Sequence, residues 1–299
     1  MKVLLSNPEA ERARWLEMRK GKISASVAAA VLGEDPNLTP LGAWLRITGR
    51  EEPMKDNSRL KAGRRFERPT AEWWAEEREA ELMPSPGLIA HEKHDWLVGT
   101  PDFMYRAGGQ DGVLEVKNYS DWAKDEWLSG VPLPQMTQLQ LYLEMCGLER
   151  GEFAVCFGQG ELIPFTVIRD DNYVGTAIEA LEAWKHLHLD RDDPPPAVGR
   201  TGEVRALARL HPSENGERVV FDDSVAAAAV AMEQARRDRL EAEKTEEQLK
   251  AIVVQAIGDA SFGVMPDGTG YHWQYQEVNY PPQPARTVQK RVLIRRKKL

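Results

Sequence analysis

Three charged side chains in the first half of the sequence have the types and spacing needed for metal-assisted hydrolysis. Glu115 and Lys117 are two residues apart in the apolar stretch VLEVK, and Asp102 lies at the edge of the preceding predicted strand. Because successive side chains of a strand point to opposite faces, Glu115 and Lys117 share one face, whereas Leu114 and Val116 can be buried on the other. The polar face therefore requires a chemical explanation.

The segment between Asp102 and Glu115 predicts a hairpin that brings the three charged side chains together. It carries the glycines Gly108, Gly109 and Gly112. Two carboxylates held close together repel unless a cation neutralises them, and oxygen ligands of this type suit Mg²⁺ or Mn²⁺. Lys117 can then hold or deprotonate the attacking water and stabilise charge on a pentavalent phosphate. The pattern predicts hydrolysis of phosphodiesters, although a surface ion pair on an exposed strand would also explain Glu115 and Lys117.

The elements around these residues alternate between helix and strand signals. Capping residues and glycine stops predict short helices after Ser24 and Thr39, and a longer helix is predicted at 61–80, kinked or restarted by Pro69. Strands are predicted at 87–90, 97–98, 103–105 and 113–117 and resemble a meander. Further helices at 121–128 and 134–145, two strands around a Gly-Gln-Gly turn and a helix ending near 189 complete the domain.

A change in composition predicts a second part of the chain. The segment DRDDPPPAVGRTG contains consecutive prolines, which favour a stiff extended linker. We therefore predict a first domain at 1–192, a linker at 193–221 and an appendage at 222–299. The appendage comprises a long charged helix capped by Asp222 or Asp223 and ended by Gly258, a small β-unit, and a tail at 286–299 with seven Lys and Arg residues.

Composition limits the classes of partner and compartment. The formal net charge is -8, so there is no global positive field, and nucleic acid must meet a local patch such as the basic tail. We find no apolar run of about 20 residues that would span a membrane. The two cysteines, Cys146 and Cys156, lie in apolar contexts that favour a reducing compartment. These features predict a cytoplasmic protein without membrane association.

The pair PD at 101–102, followed by EVK at 115–117, resembles the PD-(D/E)xK nuclease motif. An upstream segment, RARWLEMRKGKISASVAAAVLG, resembles the N-terminal segment of the phage lambda exonuclease and YqaJ viral-recombinase family. In that family an arginine and a serine hold the 5′-phosphate of the DNA end, and they match Arg19 and Ser26; Ser24 stands where the family has threonine. An Arg fork and the N–H groups of a helix start both suit a phosphate. The alternative is a charged helix with an ordinary serine cap.

Two more segments resemble the same family. GRRFERPTAEWW resembles a helix whose glutamate faces the strand carboxylates and helps to position a metal, and the matching residue is Glu67. LPQMTQLQLYLEMCG resembles a helix with a Q-x-Q pair, here Gln138 and Gln140. Residues two apart on a helix do not share a face, so we choose Gln138 for the site and keep Gln140 as the alternative. A solvated glutamate and surface amides are the competing interpretations of these residues.

The resemblance implies a PD-(D/E)xK nuclease core, a central mixed β-sheet flanked by helices, followed by the long helix and small β appendage. It further implies a Mg²⁺-dependent exonuclease that digests one strand from duplex ends, 5′ to 3′, as a homo-oligomer with a single-strand annealing protein as partner. Asp102, Glu115, Lys117 and Gln138 would then be catalytic, and Glu67, Asp102 and Glu115 would hold the metal. An endonuclease or RecB-like repair nuclease on the same core, and a non-catalytic DNA-end or recombination scaffold, are the alternatives.

Overall fold

The computed structural model describes residues 1–8, 10–51, 57–158, 160–200 and 202–275. The chain divides into two units between Pro212 and Ser213. The basic tail at 286–299 lies outside the described residues.

The strands of the first unit form two sheets. In chain order they are β1 (Lys2–Leu5), β2 (Ile23–Ser24), β3 (Glu81–Pro84), β4 (Leu88–Ala90), β5 (Leu97–Gly99), β6 (Phe103–Ala107), β7 (Gln110–Tyr119), β8 (Arg150–Phe157) and β9 (Glu161–Ile168). The four-stranded sheet has the order β1-β4-β5-β2, and the five-stranded sheet has the order β3-β6-β7-β8-β9. In the larger sheet β7 and β8 are parallel and the other neighbours are antiparallel, which confirms the predicted mixed sheet.

The predicted meander is wrong, because its four strands belong to two sheets. β4 pairs with β5 in the smaller sheet, whereas β6 and β7 form a hairpin in the larger one. The outer neighbour of β6 is β3, a segment for which we predicted no strand, and Leu82 pairs there with Tyr105. Strand propensity identifies extended segments but not their pairing partners, and long-range packing decides these.

Helices cover both faces of the larger sheet. The helices of this unit are α1 (Arg12–Arg19), α2 (Ala25–Val31), α3 (Pro40–Ile47), α4 (Ser58–Glu77), α5 (Lys124–Leu128), α6 (Leu133–Cys146), α7 (Asp171–Trp184) and α8 (Glu203–Leu210). Trp74 of α4 packs with Leu114 and Val116 of β7. Leu139 of α6 belongs to the cluster that contains Val113 and the inner residues of β8. α6 is also part of the crossover that a parallel β7–β8 pair requires.

The helix boundaries follow local signals. The Gly42 N–H donates to Thr39 Oγ1 at the start of α3, as expected for a capping threonine. Gly147 ends α6 with a φ of 68°, a left-handed conformation that glycine adopts at low cost. Pro69, however, lies inside the continuous helix α4 and does not restart it.

α8 lies within the segment that we predicted as a linker. Ala206 of α8 is buried in a cluster with Leu41, Trp44 and Leu45 of α3. Glu203, only 4% exposed, accepts hydrogen bonds from the N–H groups of Val198 and Arg200. Apolar burial and these hydrogen bonds attach residues 203–210 to the first unit, so the described division falls later in the chain than the prolines.

The second unit contains the predicted long helix. It is α9 (Asp223–Ile257), and the Val225 N–H donates to the carboxylate of its N-cap Asp222. The strands β10 (Phe262–Val264) and β11 (Gly270–His272) follow as an antiparallel hairpin. The predicted helix and β-unit are confirmed, and α9 buries none of its side chains. Within the described residues, no helix combines the length and apolarity that a membrane span would need.

Candidate active site

Asp102 and Glu115 interlock at the base of the β6–β7 hairpin. The Asp102 N–H donates to Glu115 Oε1 at 3.1 Å, and the Val116 N–H donates to Asp102 Oδ2 at 2.9 Å. The strand register places Phe103 opposite Leu114, so Asp102 stands beside the next position of β7. Each carboxylate is therefore held by a main-chain group of the neighbouring strand, and the hairpin predicted from the glycine-rich turn brings the two acids together.

Lys117 completes a buried charge cluster. Its Nζ lies 2.9 Å from Glu115 Oε2, in an ion pair whose glutamate side chain is 1% exposed and whose lysine side chain is 21% exposed. Both residues lie on the face of β7 opposite to Leu114 and Val116, as the alternation predicted. Glu115 is therefore fully buried, whereas part of the Lys117 side chain is accessible to solvent.

The cluster contains more negative charge than one ammonium group neutralises. Burial and the neighbouring Asp102 raise the pKa of Glu115 to about 8. Burial likewise raises the pKa of Asp102, although Lys117 opposes this shift. Burial alone would lower the pKa of Lys117, but Glu115 and Asp102 raise it above its ordinary value. An additional cation would relieve the repulsion between the two carboxylates.

α6 supplies two polar side chains to this cluster. Gln138 Nε2 donates to Glu115 Oε2 at 2.8 Å and lies 3.2 Å from the Tyr142 hydroxyl, one helical turn away. Tyr142 in turn donates to the carbonyl oxygen of Thr100 at 3.2 Å. A Cβ at Gly99 would collide with the Tyr142 ring, so the glycine allows α6 to approach the sheet.

Gln140 has a different position. It is buried, its Nε2 donates to the Ile168 carbonyl oxygen, and its Oε1 accepts from the Asp170 N–H. These contacts join α6 to the end of β9 and the start of α7. The two glutamines thus point in different directions, as the helical spacing predicted. Gln138 is the one that contacts a carboxylate of the cluster, that of Glu115.

Arg19 and Ser26 lie next to each other near this cluster. Arg19 Nη2 is 3.5 Å from Ser26 Oγ, and its guanidinium carbon lies 4.2 Å from the centre of the Trp15 ring. Ser26 Oγ is also 3.1 Å from Ser24 Oγ at the start of α2. Burial lowers the pKa of Arg19, and the electrostatic effect of Tyr142 opposes this. A guanidinium group and serine hydroxyls at a helix start form a set of donors for an oxyanion.

Thr100 connects the two groups of residues. Trp15 Nε1 donates to Thr100 Oγ1 at 3.2 Å, while the Thr100 carbonyl oxygen accepts from Tyr142. Thr100 stands two residues before Asp102 in the segment between β5 and β6. A chain of contacts through Trp15, Thr100 and Tyr142 therefore links the Arg19–Ser26 pair to the carboxylates.

This arrangement agrees with the comparison with known families. Residues 14–149 match the YqaJ-like viral recombinase domain. The match confirms the resemblance predicted from the motifs, and it contains Asp102, Glu115, Lys117, Gln138 and the Arg19–Ser26 pair. The chain is also 24% identical to the uncharacterized protein YqaJ of Bacillus subtilis (strain 168) over 271 residues, which cover 87% of this chain and 83% of that protein.

About two thirds of the chain has solved structural counterparts. An alkaline exonuclease, LHK-Exo, from Laribacter hongkongensis has a TM-score of 0.51 at 20% identity, covering 66% of this chain and 99% of its own. The complex of LHK-Exo with dAMP has a TM-score of 0.51 at 18% identity, covering 67% of this chain and 98% of its own. About two thirds of the chain therefore shares its fold with LHK-Exo.

Glu67, also inside the YqaJ-like segment, lies on α4. It is half-buried and stands three residues before Thr70, whose hydroxyl donates to the Asn118 side chain at the end of β7. In the part of the chain that the structure describes, no group of three or more His, Cys, Asp or Glu side chains is arranged to hold a metal ion. Glu67 as a third carboxylate ligand stays a prediction.

The donor set of Asp102 and Glu115 fits a hard divalent cation. Both groups offer carboxylate oxygens, which Mg²⁺ and Mn²⁺ prefer, and their excess negative charge favours a cation. A Mg²⁺ site commonly uses one or two carboxylates and retains several waters. Asp102 and Glu115 are the residues that would supply the protein ligands of such a site.

Other candidate clusters have structural roles. His91 is 6% exposed, its Nδ1 accepts from the N–H groups of Lys93 and His94, and its Nε2 lies 3.3 Å from Glu144. This pattern stabilises the turn between β4 and β5. Cys146 and Cys156 are both free.

Sequence analysis missed Tyr142, Thr100 and Trp15 as site residues, because their contacts join segments far apart in the sequence.

Proposed function

We propose that the chain is a Mg²⁺-dependent DNA exonuclease that digests one strand from duplex ends, in the 5′ to 3′ direction. The observation that carries the proposal is the interlocked pair Asp102 and Glu115 with Lys117 and Gln138 on Glu115. The match to the YqaJ-like viral recombinase domain and the fold shared with LHK-Exo support it. LHK-Exo has been crystallised with dAMP, a deoxynucleoside monophosphate such as an exonuclease would release.

Each residue of the site has a role in this proposal. Asp102 and Glu115 would hold the divalent ion, with Glu67 as a further ligand, and the ion would supply charge stabilisation and a more acidic bound water. Lys117 donates hydrogen bonds from its ammonium group, so it orients the attacking water and stabilises negative charge on the phosphate. Gln138 holds Glu115 in position and presents its amide to the water or the phosphate.

Arg19 and Ser26 would bind the 5′-phosphate of the DNA end. A terminal phosphate carries more charge than an internal phosphodiester, so a guanidinium group beside two hydroxyls favours it. Since Trp15 and Thr100 link this pair to the segment of Asp102, the fold would fix the distance from the end phosphate to the scissile bond. This arrangement favours the stepwise removal of residues from a 5′ end.

The proposal also includes a cellular role for the protein. The protein would generate 3′ single strands for recombination in the cytoplasm, where a single-strand annealing protein would coat them. The name of the matched domain, a viral recombinase, supports this role. We further propose a homo-oligomer, a prediction that analytical ultracentrifugation of the full chain would test.

A digestion assay tests the catalytic proposal. Linear duplexes with 5′-phosphates and a label at either end should lose nucleotides from the 5′ end with Mg²⁺ and stay intact with EDTA. Lys117→Ala should abolish turnover while DNA binding persists. If Lys117→Ala is as active as the wild type, Lys117 has no role in the mechanism.

The same assay separates the alternatives. Cleavage of closed circular DNA would favour an endonuclease or a repair nuclease on this core. Binding without digestion, unchanged by Glu115→Gln and lost on deletion of 286–299, would favour a non-catalytic scaffold.

A further inference from the structure

A small cavity opens beside the strand that carries the candidate active site. Its volume is about 190 Å³, and its walls include Trp122, Tyr119, Gln135 and the prolines Pro132 and Pro134. Tyr119 is two residues beyond Lys117 on the same face of β7, a separation of about 7 Å along a strand. The cavity is therefore next to the place where a phosphodiester would be hydrolysed.

Trp122 is exposed at the cavity although it has a large apolar ring. Its exposed fraction is 73%. Trp127, in the following helix α5, is only 1% exposed and packs against Phe153 and Phe165. Trp127 thus belongs to the core, and Trp122 contributes little to it. An exposed indole beside a cavity is suited to stacking on an aromatic ligand.

Gln135 lines the same cavity and carries an unpaired hydrogen-bond acceptor. Its Nε2 donates to the Tyr119 hydroxyl at 3.1 Å. Its Oε1 is buried and has no hydrogen-bond partner among the described residues. A buried acceptor without a donor is unfavourable, so a ligand that supplies an N–H group would relieve this cost.

The size and charge of the cavity define the ligand. Its volume lies below the roughly 300–1,000 Å³ typical of sites for drug-sized molecules, so it has room for one ring system. The carboxylates of Asp35 and Glu126 are at its wall, and the described lining contains no Lys or Arg, so a phosphate is disfavoured. The suitable ligand is a neutral aromatic ring with N–H donors.

We propose that this cavity binds one unpaired nucleobase of the DNA strand beside the scissile phosphate. The base stacks on Trp122, and its exocyclic amino group donates to Gln135 Oε1. Adenine, cytosine and guanine carry such a group, whereas thymine has a carbonyl oxygen at the position of the cytosine amino group and would place it against the Gln135 acceptor, so thymine binds most weakly. This proposal rests on the proposed nuclease function and adds to it a site that binds one base.

Binding of short single-stranded oligonucleotides to the full-length protein in EDTA tests the cavity without turnover. An abasic residue is moved along the strand, and fluorescence anisotropy gives each Kd. With wild-type protein, one abasic position should weaken binding about 10-fold, as expected for the loss of one stacked base. Trp122→Ala should lose this penalty and Trp122→Phe should retain most of it, while Trp273→Ala, an exposed tryptophan of the second unit, should resemble the wild type.

The role of Gln135 has a separate signature. Gln135→Ala should keep the abasic penalty but lose the weaker binding of thymine relative to adenine at that position. An abasic penalty that persists in Trp122→Ala, or no penalty at any position in the wild type, would overturn the proposal. A wild-type chain that shows the Trp122-dependent penalty but never digests DNA would overturn the proposed nuclease function and not the base site.

Discussion

Gln138 Nε2 donates a hydrogen bond to Glu115 Oε2 across 2.8 Å, on the oxygen that also accepts from Lys117. The buried carboxylate is thus oriented by one charged and one neutral donor from different elements. Glu115 would keep this orientation before any metal ion or DNA arrives, and such preorganisation is what a metal-assisted hydrolase requires.

The two glutamines of α6 should have opposite phenotypes when replaced. Gln138→Ala should lower the rate of duplex digestion about 10- to 100-fold, the range seen for groups that orient metal ligands, with little change in Tm. Gln140→Ala should leave the rate per folded molecule nearly unchanged but destabilise the protein by about 1–3 kcal/mol, because the Asp170 N–H and the Ile168 carbonyl lose their partner. Equal losses of stability in both variants would contradict this division.

Metal binding should be measurable without DNA. Because burial disfavours the charged forms of Asp102 and Glu115, and Asp102 adds to this effect at Glu115, a divalent ion should stabilise the native state. At about 100 times its Kd, one bound ion adds about 2.7 kcal/mol, so Mg²⁺ should raise the Tm of the wild type. Asp102→Asn should lose most of this increase, whereas Asp111→Asn, at the other end of β7 and paired with Arg106, should keep it. If Mg²⁺ does not change the Tm of the wild type, the prediction of a metal site at Asp102 and Glu115 is wrong.

Arg19 should determine the preference for phosphorylated ends. A charged hydrogen bond contributes about 1.5–3 kcal/mol, so Arg19→Ala should reduce the ratio of digestion rates for 5′-phosphate and 5′-hydroxyl ends about 10- to 100-fold. Arg12→Ala is the matched control, since Arg12 also contacts the Trp15 ring but is exposed and farther from it, at 5.4 Å. If Arg12→Ala reduces the ratio as much as Arg19→Ala, the assignment of the phosphate site is wrong.

Glu203 should make the stability of the first unit depend on pH. Burial alone would raise the pKa of Glu203, but the N–H groups of Val198 and Arg200 outweigh it and hold the pKa below its ordinary value of 4.5. Since the folded state has the lower pKa, the ionised glutamate stabilises the fold above pH 4.5, and this contribution is lost as the pH falls through the folded-state pKa.

Thermal unfolding of Glu203→Gln would test this dependence. The variant should have a lower Tm than the wild type at neutral pH, and the difference should shrink in acid. The exposed Glu214, replaced by Gln, should show no such change. A difference in Tm that is the same at neutral and acidic pH would show that the charge of Glu203 is not what attaches α8.

Much of the candidate site could be predicted from local rules. The alternation of side chains along a strand places Glu115 and Lys117 on one face of β7, and the helical repeat separates Gln138 from Gln140. The glycine-rich turn predicts the hairpin that brings Asp102 to Glu115. In each case the residues lie in one element or in two elements joined by a short turn. Backbone geometry alone then determines which of their side chains face the same way.

Other features depend on contacts between distant segments. Strand propensity did not distinguish the two sheets, because the pairing of β6 with β3 depends on packing rather than on the strands themselves. The role of α8 was missed because the prolines before it suggested a linker, whereas burial of Ala206 against α3 holds it in the first unit.

The sequence by itself determined the chemistry of the site, namely two acids, a lysine and an amide at spacings that local geometry turns towards one another. Only the tertiary structure decided that Trp15, Thr100 and Tyr142 join the Arg19–Ser26 pair to those acids. Trp15 and Thr100 are 85 residues apart in the chain, and no periodic pattern connects residues at such a separation. Their contact follows from the packing of Trp15 against the buried cluster that contains Leu88 of β4 and Val98 of β5, which is a property of the whole fold.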